Sequence, residues 1–486
     1  MRRLLFIEAM ILGLFVLLGN GIRSVGMTTV SVSQGEFASF LNISVHRTEI
    51  LIEALLGGAL IALVLAPFII SKHSALRIAR NAALLAAFCY AVVGITIHIC
   101  PGLLTREVVV IASFAFAGFA VAFFAPLAQL AIADVESEKS RVALTTVWTA
   151  AQPIAFLITP QLVKYVAFDI GVGNFFLILA ALPLLFLALM PFVFLKPDQQ
   201  TTSYQTVKPE TAVPWNRLSI IIGIILLFEA WTASVTLAGL LSPITMTFMA
   251  SFMLAIALVV LGRKRLFPEA SGAAKIPPQA VFLLLVLLLI QIPTTGLFDS
   301  AYLYRHLCSP TFMADRATAG AVCQIAGVFG AGALLVRWPN LRNPLLGAGL
   351  VLVFVGICLT ALYPFRLDDT QLFTGSKMVV SLGMGIATAV LVSAVLKAAA
   401  GNSLIIMAPA FIIIVGTELG LETMEIVFEL FELAGADENG AYQAVFMAQV
   451  AAMIVVFVVV AARIAASLAA PGSRVSHRRS GKVQGA

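Results

Sequence analysis

The stretch Asn20–Gln34, NGIRSVGMTTVSVSQ, decides how the chain is read. At about 100° per residue, its Asn20, Arg23, Ser24, Thr28, Ser31 and Gln34 fall on one helical face, with Ile22, Val25, Val30 and Val32 largely outside it. The same spacing returns as Gln291, Thr294, Thr295, Asp299, Tyr302 and Arg305, each 271 residues beyond its counterpart. Two helices with matched polar stripes, each opening one half of a very apolar chain, predict a duplicated helical bundle around a polar cavity. Lipid would penalise such stripes, so they must face protein or water.

Composition fixes the solvent. Of 486 residues, 61% are hydrophobic and only 11% charged, with a mean hydropathy of +1.04. A soluble domain carries about 25% charged residues, so there is too little charge to cover an aqueous surface. The net charge of +6 does not imply a nucleic-acid partner, because the basic residues collect in short loops on one side of the predicted spans. The opening MRRLLFIEAM has no small-residue cleavage site close behind it and reads as a retained first helix. The five cysteines show no CxxC spacing and read as small apolar fillers, although Cys100 and Cys308 fall on one predicted side.

A spanning helix needs about 20 apolar residues. Fourteen stretches qualify: 4–33, 49–70, 80–99, 107–132, 142–166, 173–195, 218–236, 239–262, 278–304, 317–336, 345–364, 374–397, 403–420 and 441–467. With the N-terminus inside, 22 of the 30 Lys and Arg residues lie on the inner side, which predicts that both termini are cytoplasmic. Polar, proline-containing linkers divide the chain into a six-helix half (1–197), a cytoplasmic linker (198–217), a central helix pair with a basic loop (218–277), a second six-helix half (278–470) and a basic tail (471–486).

This layout resembles the major facilitator superfamily, in its fourteen-helix drug:proton antiporter type. The loop after the second span, PFIISKHSALRIAR (67–80), keeps the basic character of that family's signature in Lys72, Arg77 and Arg80, with Ser71 where an Asp is expected and Ser74 where a Gly is expected. Its counterpart GALLVRWPNLRNP (332–344) keeps Gly332, Arg337 and Arg342, with Val336 at the acidic position. The fifth span, AQPIAFLITPQL (151–162), keeps Pro160 of the antiporter signature and lacks its glycines. The resemblance implies an all-α membrane protein of two six-helix bundles plus a central pair. It also implies a cavity lined by the first helix of each half, and gating loops at Lys72, Arg77, Arg80, Arg337 and Arg342.

The candidate substrate and coupling residues are Arg23, Asp299, Arg305, Asn20, Thr28, Gln291, Tyr302 and Glu229. Arg23 has two readings. It lies about 28 Å along a helix starting near Leu5, where it either snorkels to the outer interface or, on a tilted helix, enters the cavity to grip an anion or a carboxylate such as Asp299. Glu229 sits mid-span and must be protonated, paired or facing protein; its place in the central pair favours a structural role outside the transport core. Glu53 reads as an interfacial charge. Glu418, Glu422, Glu425, Glu429 and Glu432 recur on one helical face, which reads as the solvated side of an interfacial helix.

The five histidines form no pair at metal-ligand spacing, and no Gly-Lys-Ser/Thr phosphate loop is present, so the residues predict no metal site, no cofactor and no built-in ATPase. No catalytic constellation appears, and an enzyme is not expected. The function expected is proton-coupled efflux of a small amphipathic compound by alternating access, from a monomer in a bacterial inner membrane. The alternatives are an importer or exchanger of a small organic anion and, outside transport, a membrane receptor or scaffold. Cysteine labelling tests the topology: sites at 205 and 480 are expected to react from the cytoplasm and sites at 103, 310 and 436 from outside. Finding 205 and 480 on opposite sides would remove the even-span arrangement.

Overall fold

The computed structural model describes residues 2–43, 46–99, 102–194, 215–266, 277–294, 302–303, 310–362, 370–399 and 402–469. Long apolar runs become helices because hydrocarbon leaves the backbone no hydrogen-bond partner other than itself. Numbered by span, these are α1 (Arg2–Val32), α2 (Ile50–Lys72), α3 (Ala75–Ile99), α4 (Leu103–Val121, continued by Phe124–Ala133), α5 (Glu138–Leu162), α6 (Val172–Leu179 and Ala181–Phe194) and α7 (Trp215–Ala238). The chain continues as α8 (Pro243–Leu266), α9 (Pro278–Gln291), α10 (Pro310–Arg337), α11 (Arg342–Ala361), α12 (Thr370–Ala398), α13 (Ser403–Leu433) and α14 (Glu438–Ala469). Among the described residues, thirteen helices are long and apolar enough to cross a membrane, and Pro278–Thr294 forms a shorter apolar fourteenth. The protein is an all-α integral membrane protein.

The first half is held by aromatic packing. Phe15 of α1 stacks on Phe186 of α6 with ring centroids 4.7 Å apart, and Phe124 of α4 stacks on the same ring at 4.2 Å. A second group joins Phe37, Phe114 and Phe176 edge to face, with Tyr90 tilted against Phe176. The two halves meet along α5 against α10 and α2 against α13. Gly332 of α10 permits the first of these contacts, because any Cβ there would run into the Thr146 side chain of α5.

The central pair is only half peripheral. α8 is almost wholly exposed, with Leu254, Leu258 and Leu261 outward, as a lipid-facing helix should be. α7 packs against α2, and Trp231 stacks on Phe252 of α8 at 5.7 Å. The turn between α7 and α8 donates the Leu240 N–H to Glu429 of α13 at 3.0 Å, so the pair docks on both halves.

Gly332→Val is expected to lower the thermal unfolding midpoint of the detergent-solubilised protein, at an overpacking cost of about 1–3 kcal/mol. Thr146→Ala in the same chain should restore most of it. A loss that Thr146→Ala does not relieve would show that the α5–α10 approach is not what Gly332 protects.

Candidate functional site

A cavity of about 310 Å³ lies between the halves. From α1 and the start of the short helix after it, Gln34–Leu41, come Asn20, Thr28, Ser31 and Gln34, four of the six stripe residues. Asn20 is fixed by donating its side-chain amide to the Trp148 carbonyl of α5 at 2.9 Å, and Thr28 by donating to the Ser24 carbonyl at 2.7 Å. Ser24 is buried away from the cavity. From the second half come Gln291 and Thr294, where α9 closes in a 3-10 turn over Ile292–Thr294. The two first helices of the halves therefore face one cavity. Thr295, Asp299 and Arg305 lie outside the described residues, so the proposed Arg23–Asp299 pair does too.

Arg23 does not line the cavity. It sits at the edge of the stripe, about 60° from Asn20, and its long side chain is within electrostatic reach of Glu418 on α13. Tyr302 is buried in an aromatic cluster with Phe373, Tyr442 and Phe446, where its ring meets that of Tyr442 at 5.2 Å, while the adjacent Leu303 lines the cavity. Lys72, Arg77 and Arg80 are exposed at the α2–α3 connection, and Arg337 is exposed with its guanidinium 4.9 Å from the Trp338 ring centroid. Arg342 borders a polar recess with Glu138, Arg141 and Lys397.

Other lining residues had no place in the stripe reading. Arg316 is buried, with its guanidinium 4.4 Å from the Phe373 ring centroid, and Lys377 of α12 joins it in the lining. Arg316 stands one residue before the predicted span 317–336 and Lys377 three residues inside 374–397, whereas α10 begins at Pro310 and α12 at Thr370, so both positions fall within helices of the bundle. Trp148, Thr149 and Gln152 of α5 complete one wall with Gln324 of α10 and Ser381 of α12 opposite. The signal that was available is an amide within an apolar span, at Gln152 and Gln324. Glu36 is the acidic residue lining the cavity among those described, and it is exposed.

The halves touch at both ends of the cavity. At the end carrying the basic loops, Lys397 of α12 bonds Glu138 of α5 at 2.7 Å. At the other end Gln161 donates to Thr318 at 2.8 Å, and Lys164 stands 3.5 Å from Asp315.

The glutamates read as solvated are not. Glu53, Glu418, Glu422 and Glu425 are all buried, and Glu229 reaches across from α7 to fill the space that Gly57 of α2 leaves open. The expected solvated face is covered by α2 and by the central pair, and only its end at Glu432 is exposed. Cys89, Cys323 and Cys358 carry free thiols; Cys100 and Cys308 lie outside the described residues.

No family model and no curated protein sequence matches the chain. Solved structures do. The human organic anion transporter MFSD10 superposes with a TM-score of 0.61 at 14% identity, covering 93% of this chain and 99% of that one. The xylose transporter XylE from E. coli gives 0.58 at 12% identity over 93% and 97%. A peptide transporter, POT, gives 0.59 at 15% identity over 94% of each chain. The chain has the major facilitator fold.

Cysteines placed at Thr28 and Ser31 are expected to react with a small water-soluble thiol reagent, whereas one at Val30, fully buried and apolar, should not. Equal reactivity at all three positions would mean that the stripe does not border water.

Proposed function

We propose that the protein is a secondary transporter that carries a small organic solute through the central cavity by alternating access. The observation that carries this reading is the cavity itself, lined by polar side chains from both halves and bracketed by contacts between the halves at either end. A volume of about 310 Å³ suits a small ligand at the lower end of the usual range of pockets. The class of protein is supported by the fold it shares with transporters whose cargoes range from sugar to peptide.

The cargo we favour is an amphipathic organic anion. Arg316 and Lys377 outnumber Glu36 among the charged lining residues, and Met27, Ile52, Phe156 and Met384 offer an apolar wall for the rest of the molecule. Arg suits a carboxylate because its planar fork makes two parallel hydrogen bonds. Proton coupling has its support in the buried glutamates beside the cavity. The excess of basic residues at one end supports cytoplasmic termini in a bacterial inner membrane.

The test is counterflow in reconstituted vesicles with a panel of organic anions, neutral drugs and lipophilic cations, with and without a pH gradient. Organic anions are expected to be exchanged. Arg316→Ala should lower that exchange by roughly tenfold to a hundredfold, in line with about 1.5–3 kcal/mol for a charge-assisted hydrogen bond, and Arg316→Lys should recover only part of it. Exchange confined to lipophilic cations would replace the anion reading with the exporter reading. No exchange of any solute by folded protein would favour the receptor or scaffold.

A further inference from the structure

Beside the cavity, and not part of its lining, carboxylates from three separate helices converge. Glu53 comes from α2 of the first half, Glu422 and Glu425 from α13 of the second, and one oxygen from each lies within 4.8 Å of the other two. All three residues are buried. Glu229 enters from α7 against Gly57, and Glu418 stands one helical turn before Glu422, within electrostatic reach of Glu229, Glu422 and Glu53.

Five carboxylates in so small a buried volume need positive charge among them, as protons or as a cation. Arg23 is the basic residue in reach of Glu418 among those described. The hydrogen bonding separates the two remedies. Carboxylic acids that share protons do so through short O–H···O contacts. Glu418 is 1% exposed, yet both of its oxygens lack a hydrogen-bond partner, as does one oxygen of Glu422, which is 3% exposed. Glu422 is one of the three carboxylates that converge, so the group contains a buried oxygen open to a cation.

The spacing also fits. Oxygens that all lie within 4.8 Å of one another are close enough to share one ion at the bond lengths of hard divalent cations, about 2.1–2.6 Å. Carboxylate oxygens are hard ligands, and the site holds no nitrogen or sulfur donor among its described members, which excludes a preference for softer metals.

We propose that Glu53, Glu422 and Glu425, supported by Glu418, form a binding site for a hard divalent cation. Because its ligands come from both halves, the ion clamps α2 to α13, and Glu229 extends the clamp to the central pair. Its effect on transport rests on the transporter reading above; its binding does not.

The full-length protein in detergent, stripped with EDTA, is titrated with MnCl2 while free Mn2+ is followed by its electron spin resonance, and then competed with CaCl2. One Mn2+ per chain is expected to bind, with a Kd on the order of 1–100 µM, and Ca2+ should displace it. Glu422→Gln and, separately, Glu425→Gln should weaken binding at least about tenfold. Glu432→Gln, an exposed change on the same helix, should leave it intact. Absence of saturable binding by the monodisperse wild-type protein overturns the proposal. So does unchanged binding in both cluster variants when their melting profiles match the wild type. If the wild type binds no metal but its melting midpoint moves with pH and loses that dependence in Glu422→Gln, the cluster is a proton store instead.

Discussion

Hydrocarbon offers a polar side chain nothing to bond, and this one constraint accounts for most of the arrangement. Hydroxyls inside the helices are engaged locally: Thr145, Thr146, Thr149 and Thr360 each donate to the carbonyl four residues earlier, at 2.6–3.1 Å. Such groups are satisfied wherever they point. Amides and charges cannot be satisfied by their own helix, so Asn20, Gln152, Gln291, Gln324, Arg316 and Lys377 have to be brought together inside. The cavity is the place where the helices pool the polar groups they cannot satisfy alone.

The contacts that bracket the cavity are of a different kind from its walls. Glu138 and Lys397 are both largely exposed, as is Asp315 opposite Lys164. Exposed pairs contribute little, because water and salt screen them and two long side chains lose freedom. Contacts of this strength suit a molecule whose two halves have to part at one end and then at the other, since the states in exchange can differ by only a few kcal/mol. By contrast, the close approach of α5 and α10 at Gly332 and Thr146 depends on shape alone and favours a single register.

Helix number and position were legible because a span is a local property of roughly twenty residues. The matched stripes were legible for the same reason: period and spacing are one-dimensional, and four residues of the first stripe and two of the second do face one cavity. What could not be read is which face of a helix a neighbour covers. The glutamates of α13 carry the same spacing whether water or α2 lies opposite, and only the docking of the central pair decides it. Arg23 illustrates the limit at a single residue. Its place on the stripe was visible, but an arginine at the edge of a face can swing to either side, and here it stays out of the cavity lining and within electrostatic reach of Glu418. Arg316 shows a simpler limit, since it stands one residue outside the apolar run 317–336 and only the helix start at Pro310 places it inside the bundle.

The acidic cluster then stands apart from these exposed pairs because its carboxylates are buried. A surface pair breaks at little cost, whereas separating buried charges, or stranding one without its counter-charge, costs several kcal/mol. Glu53 on one side and Glu422 and Glu425 on the other cannot therefore move apart without a change in what neutralises them. Any conformational step that separates α2 from α13 is linked to the uptake or release of positive charge at this point, whatever the carrier of that charge. Linkage is reciprocal, so binding there biases the opening of the cavity as much as opening biases binding. The central pair contributes no residue to the cavity lining but shares in this through its own Glu229 and through its bond to Glu429 of α13. Its place in the molecule follows from that: α8 faces lipid, α7 closes the cluster, and together they keep water from carboxylates that would otherwise be the solvated face of a helix.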